Sequence, residues 1–243
     1  MYVLGVSGSP VIDSNTDRIV KAIMAATGAE NREFIKLSDV NVGPCRAHMK
    51  CVENNRCDID DDFASISRKV LRADALILGT PTYYSAPSSF MKSFVERCYS
   101  FRHQRLMLKG KLCATVAVGS ASESLVSEWL EKTMTFEGLE VVGAMTAKGT
   151  ICCLNCGHGN DCPYPAWNTF SKERTGIEYG IKEAYTKYLE VLPDNVPYEK
   201  GAAVIKSTKR DAMMEAEVAK RAEALGKRLR TRHDEKMQRL VRV

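Results

Sequence analysis

Across residues 1–149, short apolar runs alternate with amphipathic helical stretches, and few folds accept that alternation. "YVLGVSG" (residues 2–8) is an apolar run ending in a Gly/Ser turn, as a buried parallel strand requires. "SNTDRIVKAIMAATG" follows, with an N-cap candidate and a helical period that gathers Ile19, Val20, Ile23 and Met24 on one face. "REFIKLSDV" reads as a strand, "DDFASISRKVLRA" as a capped amphipathic helix and "DALILGTPTYY" as the cleanest buried strand in the chain. A helix ("SSFMKSFVERCYSF"), a strand ("KLCATVAVGS"), a helix ("SLVSEWLEKTMTFEG") and a last strand ("LEVVGAMTAKG") complete the series. This order predicts an α/β fold with a doubly wound parallel sheet and helices on both faces.

The pattern stops at Gly149 and divides the chain into three expected parts. Residues 1–149 form the sheet domain, with a cysteine loop over 44–60. Residues 150–175 form a second cysteine-rich loop. Residues 176–243 form a helical, basic extension, with one long helical pattern, or two broken near Gly226, over 207–239. From Lys206 to Val243 there are 12 Lys/Arg against 6 Asp/Glu, so this tail holds the basic excess of a chain whose net charge is +5. The tail is expected to pack on a neighbouring subunit or on the domain itself. It lacks the interleaved aromatic residues that stack on bases, which speaks against nucleic acid. No apolar run approaches the roughly 20 residues of a membrane span. The N-terminus reads as a strand and not as a signal peptide, so a cytoplasmic protein is expected. In that compartment nine cysteines favour metal or redox chemistry over disulfides.

"SGSPVIDSNT" (residues 7–16) lies between the first strand and the first helix. There a doubly wound sheet offers backbone N–H groups and a helix start to an anion. The stretch has neither G-K-[ST] nor G-x-G-x-x-G. It offers hydroxyls and amides without Lys or Arg, which fits a phosphate monoester held by hydrogen bonds; an ordinary capped turn reads the same way. "GTPTYYSAPSSF" sits at the carboxyl end of a strand, where ligands of open sheets bind. Pro81 and Pro87 stiffen it, and its two tyrosines could face a planar ring. "GSASES" (residues 119–124) is a third strand end at the same edge.

These stretches, with a cysteine-bearing loop before "DIDDDF", resemble the NADPH-dependent FMN reductase group of the flavodoxin-like proteins, and within it the iron–sulfur flavoproteins. The resemblance covers about residues 1–148. It implies a flavodoxin-like fold and an FMN whose phosphate is held by Ser7, Ser9, Ser14, Asn15 and Thr16. It implies an isoalloxazine lined by Pro81, Thr82, Tyr83, Tyr84 and Ser85, with Gly119 nearby. It also implies a homodimer or homotetramer with the flavin close to a subunit interface. The sequence departs from the pattern at Val11, where many relatives carry arginine.

"PCRAHMKCVENNRCDIDDDF" carries Cys45, His48, Cys51 and Cys57 in the spacing C-x2-H-x2-C-x5-C. Three thiolates and an imidazole can hold a [4Fe–4S] cluster. The same four can close a Cys3His zinc site. His48 can also stand aside, leaving three cysteines with an open iron, and loose thiols have the same spacing. In the iron–sulfur flavoproteins that the chain resembles, a cysteine stands where this chain has His48. The second group, "TICCLNCGHGNDCPYPAW", places Cys152, Cys153, Cys156 and Cys162 within eleven residues, for a second [4Fe–4S] cluster or for zinc. Cys98 and Cys113 are expected in the core, and His103 and His233 at the surface. Asp61 and Asp62 are expected to act as favourable charges at a helix start.

The expected protein is a flavin-dependent oxidoreductase. It moves electrons between one or two clusters, FMN and an external donor or acceptor, either a small molecule such as NAD(P)H or a carrier protein such as ferredoxin. Two alternatives share the fold: an NAD(P)H-dependent FMN or quinone reductase with structural zinc, and a redox-sensing scaffold. No side chain stands out as an acid or a base.

Overall fold

The computed structural model describes residues 1–119, 122–149 and 215–241. In chain order these form β1 (Tyr2–Ser7), α1 (Asn15–Ala26), β2 (Asn31–Lys36), α2 (Phe63–Arg72), β3 (Ala75–Tyr83), β4 (Ala86–Pro87), α3 (Ser89–Cys98), β5 (Leu112–Gly119), α4 (Glu123–Phe136), β6 (Glu140–Lys148) and α5 (Ala216–Val241). The long strands are parallel and stand in the order β2-β1-β3-β5-β6; the two-residue β4 folds back antiparallel on β3. Counting the parallel strands alone, this is the 2-1-3-4-5 arrangement of flavodoxin-like sheets, and the predicted doubly wound sheet is borne out. The strand order reverses between β1 and β3, so a crevice opens at their carboxyl ends.

The alternation of side chains along each strand supplies both faces of the sheet. Leu4, Val6, Leu76 and Leu78 pack on one side with Phe63 and Val70 of α2 and Phe94 of α3. Val3, Ile77 and Val116 pack on the other with Ile19, Val20 and Ile23 of α1. β2 ends earlier than its sequence suggests, because a 3-10 turn at Leu37–Asp39 turns Leu37 into the core. Cys98 and Cys113 are buried as expected, and burial pushes the Cys113 thiol up to about 12, which makes it inert.

The second face is completed by the basic tail. Val218, Ala222, Leu225 and Leu229 of α5 join the core with α1, so the helix packs on the domain itself. Its charges stay outside and bind the edge strand: Arg228 donates to the Val142 carbonyl at 2.7 Å, and Arg232 and Lys236 both pair with Glu140. α5 runs unbroken through Gly226. A Cβ there would stand 2.5 Å from the Ile23 carbonyl oxygen and 2.6 Å from Ala26 Cβ. Glycine lowers helix propensity by about 1 kcal/mol, but here it lets two helices touch backbone to backbone. No described helix is long and apolar enough to cross a membrane.

Candidate functional site

The first wall of the crevice is the turn from β1 into α1. Ser7 is fully buried; its hydroxyl donates to Asp17 Oδ1 at 2.5 Å and accepts the Ser9 N–H at 3.3 Å. Ser9 Oγ accepts the Val11 N–H at 3.3 Å. Ser14 Oγ accepts the Asp17 N–H at 3.1 Å, and the Asp17 carboxylate accepts the Ser14 N–H at 3.2 Å, which closes a capping box. Asn15 and Thr16 open the first helical turn, at the positive end of the helix dipole. A cation absent from the sequence reading also arrives here. Lys36, at the end of β2, donates to buried Asp17 at 2.6 Å and to the Val11 carbonyl at 2.7 Å. The pair cancels its own charge, so hydroxyls and the helix start still set the anion preference.

The second wall is the end of β3. Ser88 caps α3 and donates to the Gly8 carbonyl at 2.6 Å, tying the two walls together. A Cβ on Gly8 would meet Ser88 Oγ and Met91 Cβ at 2.7 Å, so only glycine allows that approach. Pro81 is buried, and Thr82 Oγ1 is buried without a partner. Tyr83 is partly exposed, and its burial holds the phenol above its ordinary value. Tyr84 and Ser85 make the two-residue turn into β4, at φ 50° and 59°. That type I′ geometry usually takes Asn-Gly, and two side-chain-bearing residues in it cost of order 1–3 kcal/mol each. Tyr84 stands fully exposed at the tip, while Ser85 Oγ lies 2.8 Å from Ser122 Oγ.

The third wall is the end of β5. Gly119 lies against the Thr82 side chain. Beside it, Glu123 is nearly buried: Oε1 lies 2.5 Å from Lys148 Nζ, and Oε2 has no partner. Nothing local in the sequence marked this pair, because the two residues meet only when β6 lies beside β5. Ser120 and Ala121 of this strand end lie outside the described residues. An orphaned hydroxyl, a helix start and a stiff strand-end wall at one switch point fit a flavin mononucleotide.

Cys45, His48, Cys51 and Cys57 line one small pocket. Their loop is irregular apart from a 3-10 turn at Lys50–Val52, and Ala47, Met49 and Asn55 have φ of 51°, 61° and 57°. Side chains hold it in place. Asn55 is buried; its amide donates to the carbonyls of Ser100 and Arg105, and its oxygen accepts the Gln104 N–H at 2.8 Å. Arg97, in the last turn of α3 and only 1% exposed, donates to both oxygens of Asp61 at 2.6 and 3.0 Å, to the Gly43 carbonyl at 3.0 Å and to Cys57 Sγ at 3.2 Å.

Several sequence expectations change here. Asp61 is the partner of Arg97 and accepts the N–H groups of Gly43 and Phe63, so it does more than complement a helix dipole. Burial alone would raise its carboxyl; Arg97 and the two N–H groups outweigh burial and hold it below the ordinary value. Asp62 accepts the Asn41 N–H and makes no side-chain cap. His48 Nε2 is 2.9 Å from Asp58, and its Nδ1 accepts the Lys50 N–H at 3.4 Å. His103 is not a plain surface histidine. It is half-buried, edge-on to Tyr99 at 4.7 Å, with Nε2 at 3.3 Å from Cys51 Sγ. Burial and the facing thiols of Cys57 and Cys45 hold the Cys51 thiol above its ordinary value. Among the described residues, no three of His, Cys, Asp and Glu gather tightly enough for a single metal ion. Cys152, Cys153, Cys156 and Cys162 lie outside the described residues.

Residues 1–147 match the family model for NADPH-dependent FMN reductase. The chain belongs to that family. It is thereby a flavin-dependent oxidoreductase, and the resemblance read from its motifs is borne out. Among curated proteins this reductase-family chain is similar to an iron–sulfur flavoprotein of Methanocaldococcus jannaschii, 36% identical over 123 residues, covering 50% of this chain and 63% of that protein. It is also similar to the iron–sulfur flavoprotein of Methanosarcina thermophila, 27% identical over 199 residues, covering 79% of this chain and 95% of that one. It thus spans under two thirds of the first relative and nearly all of the second. A solved structure described as a flavone reductase shares the fold, with a TM-score of 0.54, 12% identity, and coverage of 98% of this chain and 64% of that one.

Proposed function

We propose that this member of the FMN reductase family is an iron–sulfur flavoprotein, with FMN in the strand-end crevice and a [4Fe–4S] cluster on Cys45, Cys51 and Cys57. The convergence of those three thiols on one pocket is the observation that carries this reading. A tetrahedral zinc, with Zn–S near 2.3 Å, would need sulfurs roughly 3.8 Å apart. Thiolates around a cluster are spread farther by the iron–sulfur framework, and the loop does not gather three ligands about one ion. FMN supplies hydride and one-electron chemistry when bound, and a cluster supplies one-electron transfer.

The chain's own residues position these groups. The helix start at Ser14, Asn15 and Thr16 receives the phosphate, with Ser7 and Ser9 shaping the turn. Pro81, Thr82 and Tyr83 form a stiff wall for the ring, and Thr82 Oγ1 gains the partner that it lacks. Tyr84 and Ser85 project at the mouth. The second cysteine group, 152–162, would serve a second cluster. The external donor or acceptor is NAD(P)H or a carrier protein such as ferredoxin, and the chain assembles as a homodimer or homotetramer. The exposed Ile12, Tyr84 and Leu125 support contact with a second copy.

Protein purified without oxygen tests the reading by its content of FMN, iron, acid-labile sulfide and zinc. One FMN with about four iron and four sulfide per chain is expected for one cluster, and about eight of each for two. Zinc without sulfide would leave a zinc-stabilised reductase.

A further inference from the structure

We propose that His103 and Arg97 are positioning residues of the cysteine pocket, donating N–H groups to the ligating sulfurs of Cys51 and Cys57, while His48 stands outside the ligand set. The inference rests on the iron–sulfur reading above. A sulfur that ligates iron is a thiolate with no proton to give. Its 3.3 Å contact with His103 Nε2 is therefore an N–H donated by the imidazole. Arg97 Nε, which always carries its proton, donates to Cys57 Sγ at 3.2 Å. His103 also stands too near the Cys51 sulfur to ligate a separate corner of a cluster, so a donor's role is the one left to it.

These contacts are built into the fold. Both donors come from the end of α3 and the turn after it. The cysteine loop is fastened to that turn by Asn55, through three hydrogen bonds, and by Gln104, whose amide donates to the Val52 carbonyl at 2.6 Å. Tyr99 fixes the imidazole edge-on. His48, by contrast, has both nitrogens engaged. Its Nδ1 accepts the Lys50 N–H, so its proton sits on Nε2 and is donated to Asp58. No lone pair remains for iron. Sequence spacing selected His48; the folded loop selects His103.

Hydrogen bonds to cluster sulfurs favour the more negative, reduced state and raise the reduction potential. The test uses anaerobic wild-type protein with His103→Ala, His103→Gln, His48→Ala and Cys51→Ser variants. Iron and sulfide are measured per chain, and the midpoint potential is taken from the spectroscopic signal that Cys51→Ser removes. His103→Ala is expected to keep its iron and sulfide and to titrate at a lower potential. His103→Gln, which still offers an amide N–H, should recover part of the shift. His48→Ala should match wild type in iron content and potential. An unmoved potential in His103→Ala overturns the inference and leaves the cluster in place. Iron lost in His103→Ala makes His103 a ligand, and iron lost in His48→Ala restores His48 to the ligand set; either overturns it. Wild-type protein without iron and sulfide overturns the iron–sulfur reading along with it, as does a Cys51→Ser variant that removes no signal.

Discussion

The strand-end crevice and the cysteine pocket stand at opposite ends of α3 and are built by opposite means. Ser88 caps the helix at the crevice, and Arg97 in its last turn reaches the pocket. Ten residues of helix put about 15 Å between the two ends. The crevice is made of regular backbone. Buried strands deliver Ser7, Pro81 and Gly119 to one edge, and hydroxyls a few residues apart lock the turn. The pocket is made of irregular backbone with three left-handed residues. It holds its shape through Asn55, Asp61 and Arg97, whose partners lie far along the chain. A site on strand ends is positioned by the sheet. A site on a loop is positioned by its anchors, and those anchors touch its chemistry directly.

The strongest way to break this contrast is to remove the main anchor. Arg97→Met leaves the Asp61 carboxylate buried without its counter-ion, held only by the Gly43 and Phe63 N–H groups, and should cost about 3–5 kcal/mol in urea unfolding at neutral pH. FMN affinity, set at the far end of α3, should change much less; FMN lost before the loop detaches would dissolve the distinction. The same pair gives a pH signature. The Asp61 carboxyl is lower in the folded state than unfolded, so its stabilisation is present above about 3.9, the unfolded value, and fades as pH falls through the folded one. The stability gap between wild type and Arg97→Met should therefore narrow as the pH falls from about 4 to about 2. A gap that stays constant over that range would mean that the charge of Asp61 is not what Arg97 balances.

A smaller change sharpens the same line. Asn55→Ala strands two carbonyls and one N–H, at a cost of about 1–3 kcal/mol. Limited proteolysis should show faster cleavage within residues 45–57 while the helical circular dichroism of the domain is retained. The smallest effect is expected at the crevice and has the other sign. Tyr84→Gly relieves one strained turn residue and should stabilise by roughly 0.5–1 kcal/mol, since glycine occupies positive φ without a steric penalty. A lowered melting temperature would show that the exposed ring contributes packing, against the reading of a strained, solvent-facing tip.

The contrast also explains what was legible in the sequence. Leu76, Ile77 and Leu78 announce a buried strand by local composition, and Ser14 with Asp17 announces a cap, because both signals depend on near neighbours. The sheet and the crevice followed from such signals. The cysteine spacing was equally plain, but its second partner was not. His103 lies 52 residues from Cys51 and Arg97 lies 40 from Cys57, and no local pattern joins them. Lys36 escaped for the same reason, reaching Asp17 only once β2 lies beside β1.

The docking of α5 has a consequence for the order in which the protein can be made. Val218, Ala222, Leu225 and Leu229 complete the core face that begins with Ile19, Val20 and Ile23. A ribosome releases α1 and every strand of the sheet before it has joined the first residue of α5. The contacts between α1 and α5 can form only after α5 itself has emerged. Until then that stripe of α1 is a surface that chaperones can hold and that other nascent chains can stick to.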